Sequence, residues 1–284
     1  MKKSTMGKKT RFIIGRILLY AGLGAFGFIS VMPFVWMIRS SFMGIKQIFV
    51  MPPEWIPNPW TLSNYADVIF KTDILKYFGN TVFVVLMNML GILLTGSMAA
   101  YGFSRVRWAG RDAIFAILLT AMMLPSAVTL IPVYIGWSRL DFVDTYVPMI
   151  LPAFLGGGAF NIFLLRQFFL TIPHELDEAA LVDGASRFRI YWNIDIPLAK
   201  SAMVVVGLFT FMNTWNDFFT PLIYLNTMSK YTVAVGLQNL LGKYTSKWNI
   251  VLTASVIVTM PCVIVFLLGQ KHIMGGIALT GIKG

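Results

Sequence analysis

The chain has 284 residues, 57% hydrophobic and 12% charged, with a mean hydropathy of +0.73. Soluble domains carry about 25% charged residues, so this composition belongs in lipid and excludes an ordinary soluble enzyme, and it sets aside the nucleic-acid reading that a net charge of +11 invites in a soluble chain. The single cysteine, Cys262, excludes an intramolecular disulfide framework, and His174 and His272 are too far apart in sequence to suggest a zinc or haem motif.

Residues 1–11, "MKKSTMGKKTR", form a basic N-terminus. The apolar run behind them, Phe12–Ile38, outlasts the ~7–15-residue apolar core of a signal peptide and reads as a retained span. Five more stretches reach the ~20 apolar residues that a bilayer requires: Tyr77–Phe103, Ala113–Trp137, Val147–Leu170, Ala202–Leu225 and Ile250–Gly269. With the N-terminus inside, one side of the membrane receives roughly twice as many lysines and arginines as the other, among them Arg105, Arg107 and Arg111 in the tight loop "SRVRWAGRD". The expectation is an all-α membrane protein with six transmembrane helices, both termini cytoplasmic, and one membrane domain covering 12–284.

Two longer segments fall on the outer side. Arg39–Asp73 contains "MPPEWIPNPW", whose prolines favour an extended loop over a helix, and Asn226–Lys247 follows the fifth span. Each reads either as a docking surface or as a connector. Pro125 and Pro132 are expected to kink the third span. Gly156, Gly157 and Gly158 in the fourth span, and Gly91 and Gly96 in the second, are read as sites of close helix packing rather than ligand contact.

The most unusual stretch is "HELDEAALVDGASRFRIYWNIDIP", His174–Pro197, a polar insert between the fourth and fifth spans. Thr171 is a candidate cap, Pro173 suits a first turn, and Glu175, Asp177 and Glu178 sit where the helix dipole favours carboxylates. Gly184 supplies a left-handed turn, Ser186 caps a second helix, and Pro197 delays the next span. The product is a helix pair on the cytoplasmic face between residues 171 and 200. Periodicity leaves open whether it anchors two spans or transmits a movement.

In the fifth span, Asn213, Asn216, Asp217 and Thr220 recur at helical spacing beside Trp215. Such a face either lines a sugar path or gate, or bonds helices across a packed interface.

At this point the insert resembles a known pattern. "EAALVDGASRFRIYWNIDIP" is similar to the cytoplasmic loop of permeases in binding-protein-dependent ABC importers, with Glu178, Ala179, Ala180, Asp183, Gly184, Ile194 and Pro197 in register. Ile196 stands where leucine is usual, and Ser201 where proline is common. "IFLLRQFFLTIP", "WNDFFTPLIYL", "YTVAVGL" and "GGIALTGIKG" resemble the sugar-importing branch, and the smaller permease of maltose-type importers in particular. The resemblance implies half of an alternating-access pathway for a sugar or oligosaccharide, in the inner membrane of a prokaryote. The runner-up is an importer of another solute, such as an osmolyte or polyamine. It implies that the seven matched loop residues couple the chain to an ATPase, and it implies four partners: a second related permease, two ATPase subunits and an extracytoplasmic solute-binding protein. "MGKKT" at Gly7 lacks the upstream glycine of a phosphate loop. ATP and Mg are therefore expected in the ATPase, with no cofactor and no catalytic residue in this chain. An ion-coupled transporter working alone fits less well, because no inverted repeat of broken helices is visible.

Overall fold

A computed structural model describes residues 5–244 and 246–280, so the first lysines of the basic N-terminus, Lys2 and Lys3, lie outside them. Among the described residues every regular element is helical. The chain divides into two compact units, Met1–Lys71 with Lys243–Ile257, and Thr72–Gly242 with Val258–Gly284.

The first unit begins with α1, Thr5–Ser41, which runs uninterrupted through Pro33. Its apolar side chains are exposed along its length, Phe26 at 73% and Phe28 at 71%. The proline-rich segment that follows is irregular from residue 49 to 62, as its prolines require. It is held to the end of α1 through Arg39, whose Nε donates to the Glu54 carbonyl and whose guanidinium stacks on Trp36 at 4.2 Å. Asn64 donates to the carbonyls of Ser41 and Met43 at 2.8 and 2.9 Å.

The second unit carries the remaining spans apart from the start of the last, 248–257, and three of them are broken. The second span is α2, Ile74–Gly91, continued by α3, Ser97–Ser104, through a π-turn at Ile92–Gly96. The third is split into α4, Arg111–Ala121, and α5, Ser126–Arg139. Its break lies at Pro125, whereas Pro132 sits inside α5 without ending it. The fourth is split into α6, Val147–Phe154, and α7, Ala159–Phe169, by Leu155–Gly158. Gly156, Gly157 and Gly158 have φ of +99°, +67° and +87°, a region that side-chain-bearing residues avoid.

Those glycines let two spans touch at their backbones. A Cβ on Gly91 would lie 2.9 Å from the Ala153 carbonyl carbon, and one on Gly96 would lie 3.1 Å from the Gly156 oxygen. Thr95 Oγ1 closes the seam, 3.1 Å from Ala153 O and accepting the Gly156 N–H at 3.1 Å. The close-packing reading holds at Gly91, Gly96 and Gly157, whereas Gly156 faces only Ile162 of its own span and Gly158 has open space around it.

The polar insert becomes α8, His174–Val182, and α9, Arg187–Ile190, continued by a π-turn at Tyr191–Asp195 and a last turn at Ile196–Leu198. The fifth span, α10, Lys200–Trp215, leaves this helix at 77°. It does not run on to Leu225 as one helix. It stops at Trp215 and resumes as α11, Phe219–Tyr224, so the predicted continuous face over 213–220 is corrected to two segments with a break between them. After α12, Val233–Lys243, the last described helix is α13, Trp248–Thr280.

By length and composition, four helical stretches suffice to cross a membrane: Arg11–Ser41, Ile74–Ser104, Val147–Phe169 and Trp248–His272. Counting the bent pair Arg187–Leu198 with Lys200–Trp215 as one makes a fifth. The third predicted span misses this measure because each half is too short on its own.

Candidate functional site

The insert is built as expected in most of its parts. Gly184 has φ +79° and supplies the left-handed turn. Ser186 caps α9, accepting the Arg189 N–H at 3.3 Å. Thr171 is not the cap of α8: its hydroxyl donates back to Phe168 O at 2.7 Å, and Pro173 takes the cap position because its extended backbone leads directly into the first turn. Glu178, Ala179, Asp183, Gly184 and Pro197 are exposed, and Ala180 and Ile194 half-buried. Val182, at 89% exposure, stands at the tip with Leu181 and Phe188 also open. An apolar tip flanked by carboxylates and two arginines is a surface suited to a protein partner.

The root of the hairpin is a buried charge cluster that pattern reading missed. Arg105, at the end of α3, has no exposed side-chain surface. Its Nη1 donates to Ile172 O at 2.9 Å and to His174 Nδ1 at 3.1 Å, which places that ring's proton on Nε2. Nη2 donates to Pro173 O and to Asp177 Oδ1, both at 3.2 Å. Nε lies 3.1 Å from Asp177 Oδ2 and 3.4 Å from Asp195 Oδ1. One guanidinium thus reaches α8 through Asp177 and the second helix of the hairpin through Asp195. Burial lifts the Asp195 carboxyl to about 6; the neighbouring Asp177 charge adds to this and Arg105 opposes it.

Two more bonds run from α3 to the hairpin. Ser97 Oγ and Tyr191 OH are 2.7 Å apart, and Tyr101 OH donates to Arg187 O at 3.1 Å. Ser97, Tyr101 and Arg105 are spaced by four and form one stripe of the helix. Tyr191, Ile172 and Ala199 are buried in the same apolar core as Phe169, Leu165 and Ala100. The hairpin is therefore rooted in the spans at its base and open at its tip.

A second feature lies among the broken spans. A cavity of about 240 Å³ is lined by Val84 and Asn88 of α2, by Pro148, Met149 and Pro152 of α6, and by Asn213, Thr214, Asp217 and Thr220. Three of the five predicted path residues meet here. The other two point elsewhere: Asn216 donates to Met212 O at 2.7 Å and faces Cys262, while Trp215 is buried, donating to Val258 O at 3.0 Å and stacked on Phe211. Asp217 Oδ1 accepts the Thr220 N–H at 3.1 Å and so caps the restart of the helix. Asn88, buried and bonded to Val84 O at 2.9 Å, is the cavity residue that pattern reading did not single out.

Beyond the cavity, Asp144 ties the start of the fourth span to the segment after α11. It has φ +61°, its carboxylate accepts from Asn226 N, Thr227 N, Thr227 Oγ1 and Lys230 Nζ at 2.6–2.9 Å, and its own N–H donates to Tyr224 O at 2.7 Å. Lys230 and then Thr227 hold that carboxyl well below the usual carboxylate range.

Apolar helices, one of them interrupted beside a polar-lined cavity and joined to a rooted polar hairpin, fit a multi-pass membrane protein. The profile of the family described as "Binding-protein-dependent transport system inner membrane component" matches residues 91–277, and the chain belongs to that family. It is 33% identical to the inner membrane ABC transporter permease protein YcjP of Escherichia coli (strain K12), over 95% of this chain and 98% of that one. It is 31% identical to the arabinooligosaccharides transport system permease protein AraQ of Halalkalibacterium halodurans, over 98% and 100%. Among solved structures it resembles a chain of a bacterial ABC transporter involved in the import of the acidic polysaccharide alginate, with a TM-score of 0.81, 23% identity, and coverage of 95% and 99%.

Proposed function

We propose that this chain is one permease subunit of an ATP-driven importer for a sugar or oligosaccharide, contributing half of a pathway that works by alternating access. Six spans with both termini cytoplasmic complete the topology, the split third span counting as one. The observation that carries the reading is the hairpin: Glu178, Ala179, Asp183 and Gly184 are exposed while its base is locked into the spans by Arg105. A body open at its tip and rigid at its root transmits a rotation, whereas a loose loop absorbs it. The chain carries no phosphate loop, so two ATPase subunits use ATP and Mg, and one of them docks on that tip. A second permease and an extracytoplasmic solute-binding protein complete the assembly.

The sugar assignment is supported by relatives named for arabinooligosaccharide and diacetylchitobiose uptake. The chemistry of the cavity is compatible with it, since Asn88, Asn213, Asp217 and Thr220 offer amide, carboxylate and hydroxyl groups to sugar hydroxyls. Its volume of about 240 Å³ falls below the ~300–1,000 Å³ of a complete ligand site, as befits half a path closed by another chain.

The test has two arms. A photo-crosslinking residue at Val182 should join the chain to an ATPase subunit, and none at exposed Phe26 of α1 should. Uptake into proteoliposomes holding the complete assembly should follow a sugar from a panel of mono- and oligosaccharides. Uptake of an osmolyte or polyamine instead would replace the substrate class and leave the coupling reading standing.

A further inference from the structure

We propose that Arg105 is a positioning residue that carries the movement of the hairpin to the cavity wall through the second span, by a route separate from the covalent ones through α7 and α10. The proposal rests on the coupling reading of the hairpin given above.

Three observations converge. The stripe Ser97, Tyr101 and Arg105 grips both helices of the hairpin, and its strongest member is a buried guanidinium that reaches Asp177 on one helix and Asp195 on the other. The stripe is continuous, through one π-turn, with α2, whose Val84 and Asn88 form one wall of the cavity. That π-turn is in turn locked at Thr95 to Ala153 and Gly156, at the end of the α6 helix that supplies Pro148, Met149 and Pro152. Second span and outer half of the fourth therefore move as one body, with Arg105 as its handle. The remaining lining residues, Asn213 and Thr214 of α10 with Asp217 and Thr220 just beyond it, follow α10, which packs on α2 at Gly207 and leaves the hairpin across a 77° corner at Ala199. A hairpin that rotates against both connections at once displaces the two walls relative to each other, and that displacement is what opens and closes a path.

The experiment uses the assembled transporter with Cys262→Ser and a single reporter, Asn88→Cys or Asn213→Cys. The rate of labelling by a small methanethiosulfonate reagent is compared between nucleotide-free and vanadate-trapped states. The perturbing variant is the triple Arg105→Gln, Asp177→Asn, Asp195→Asn, which removes every charge of the cluster and orphans none. The expected result is a labelling difference at both positions in the parent, lost at 88 and kept at 213 in the triple variant. Ser97→Ala, a milder change that removes the bond to Tyr191 together with the local bonds to the Leu93 and Leu94 carbonyls of its own helix, should reduce the difference at 88 and spare 213, and it serves if the triple variant does not assemble. A difference at 88 that survives in both variants overturns the proposal. Loss at 88 and 213 together also overturns it, because the cluster then merely holds the hairpin in place. Gly184→Pro separates the parent reading: it should abolish the difference at both positions, and if it leaves both intact, the coupling role of the hairpin fails and this route with it.

Discussion

Arg105 shows how much a single residue can decide in a bilayer protein, where apolar packing gains little over lipid and polar contacts fix which elements associate. Removing one partner of a buried ion pair costs about 3–5 kcal/mol because the other charge stays desolvated. Arg105→Gln should therefore lower the thermal midpoint of the solubilised complex far more than the neutral triple variant. Arg105→Lys should recover little of it, since one ammonium cannot span Asp177 and Asp195 as a planar fork does. Asp195 adds a pH dependence. Its folded-state pKa is about 6, against ~3.9 in an unfolded chain. Between those values the folded form holds a proton that the unfolded form lacks, so the contribution of Asp195 to stability grows as pH falls from above 6 toward ~4. Arg105, Asp177 and Tyr101 surround it, and the Asp195→Asn variant should lose this rise when midpoints are compared across that range. Little of this cluster was legible. Arg105 counted only toward orientation, and its partners lie 72 and 90 positions away, with nothing local to mark Asp177 or Asp195 as buried.

At the scale of elements, apolar runs located the spans and the insert, but hydropathy passes straight through the breaks at Met122–Pro125, Leu155–Gly158 and Asn216–Phe218. Pro125 and Pro132 are equal candidates in sequence, yet the helix restarts at the first and runs on through the second. The glycines were more informative, because small residues where helices cross have a direct physical reason. Gly91→Ala should push α2 off Ala153 and weaken both assembly and transport. Gly102→Ala, with open space around its Cα, should be silent or gain up to ~1 kcal/mol from helix propensity. Parallel thermal melts and uptake assays on the two variants check the contrast. Asp144→Ala should loosen the segment after α11, read as faster hydrogen exchange at Asn226 and Thr227, whose N–H groups it now holds.

For the whole molecule, composition was decisive about the solvent, and the spacing of Glu178, Gly184 and Pro197 about the family. What the sequence left open, anchor or transmitter, turns on whether the base of the hairpin is rigid, and that is a three-dimensional property. The most direct measurement is ATP hydrolysis by the complete transporter in proteoliposomes, with and without binding protein and sugar, for the parent chain and for Gly184→Pro. Proline cannot adopt the +79° φ of Gly184, so the substitution distorts the turn without touching the root. The account predicts an assembled complex in which stimulation by loaded binding protein is lost. Stimulation that persists at the parental level in the variant would contradict it and leave the hairpin an anchor.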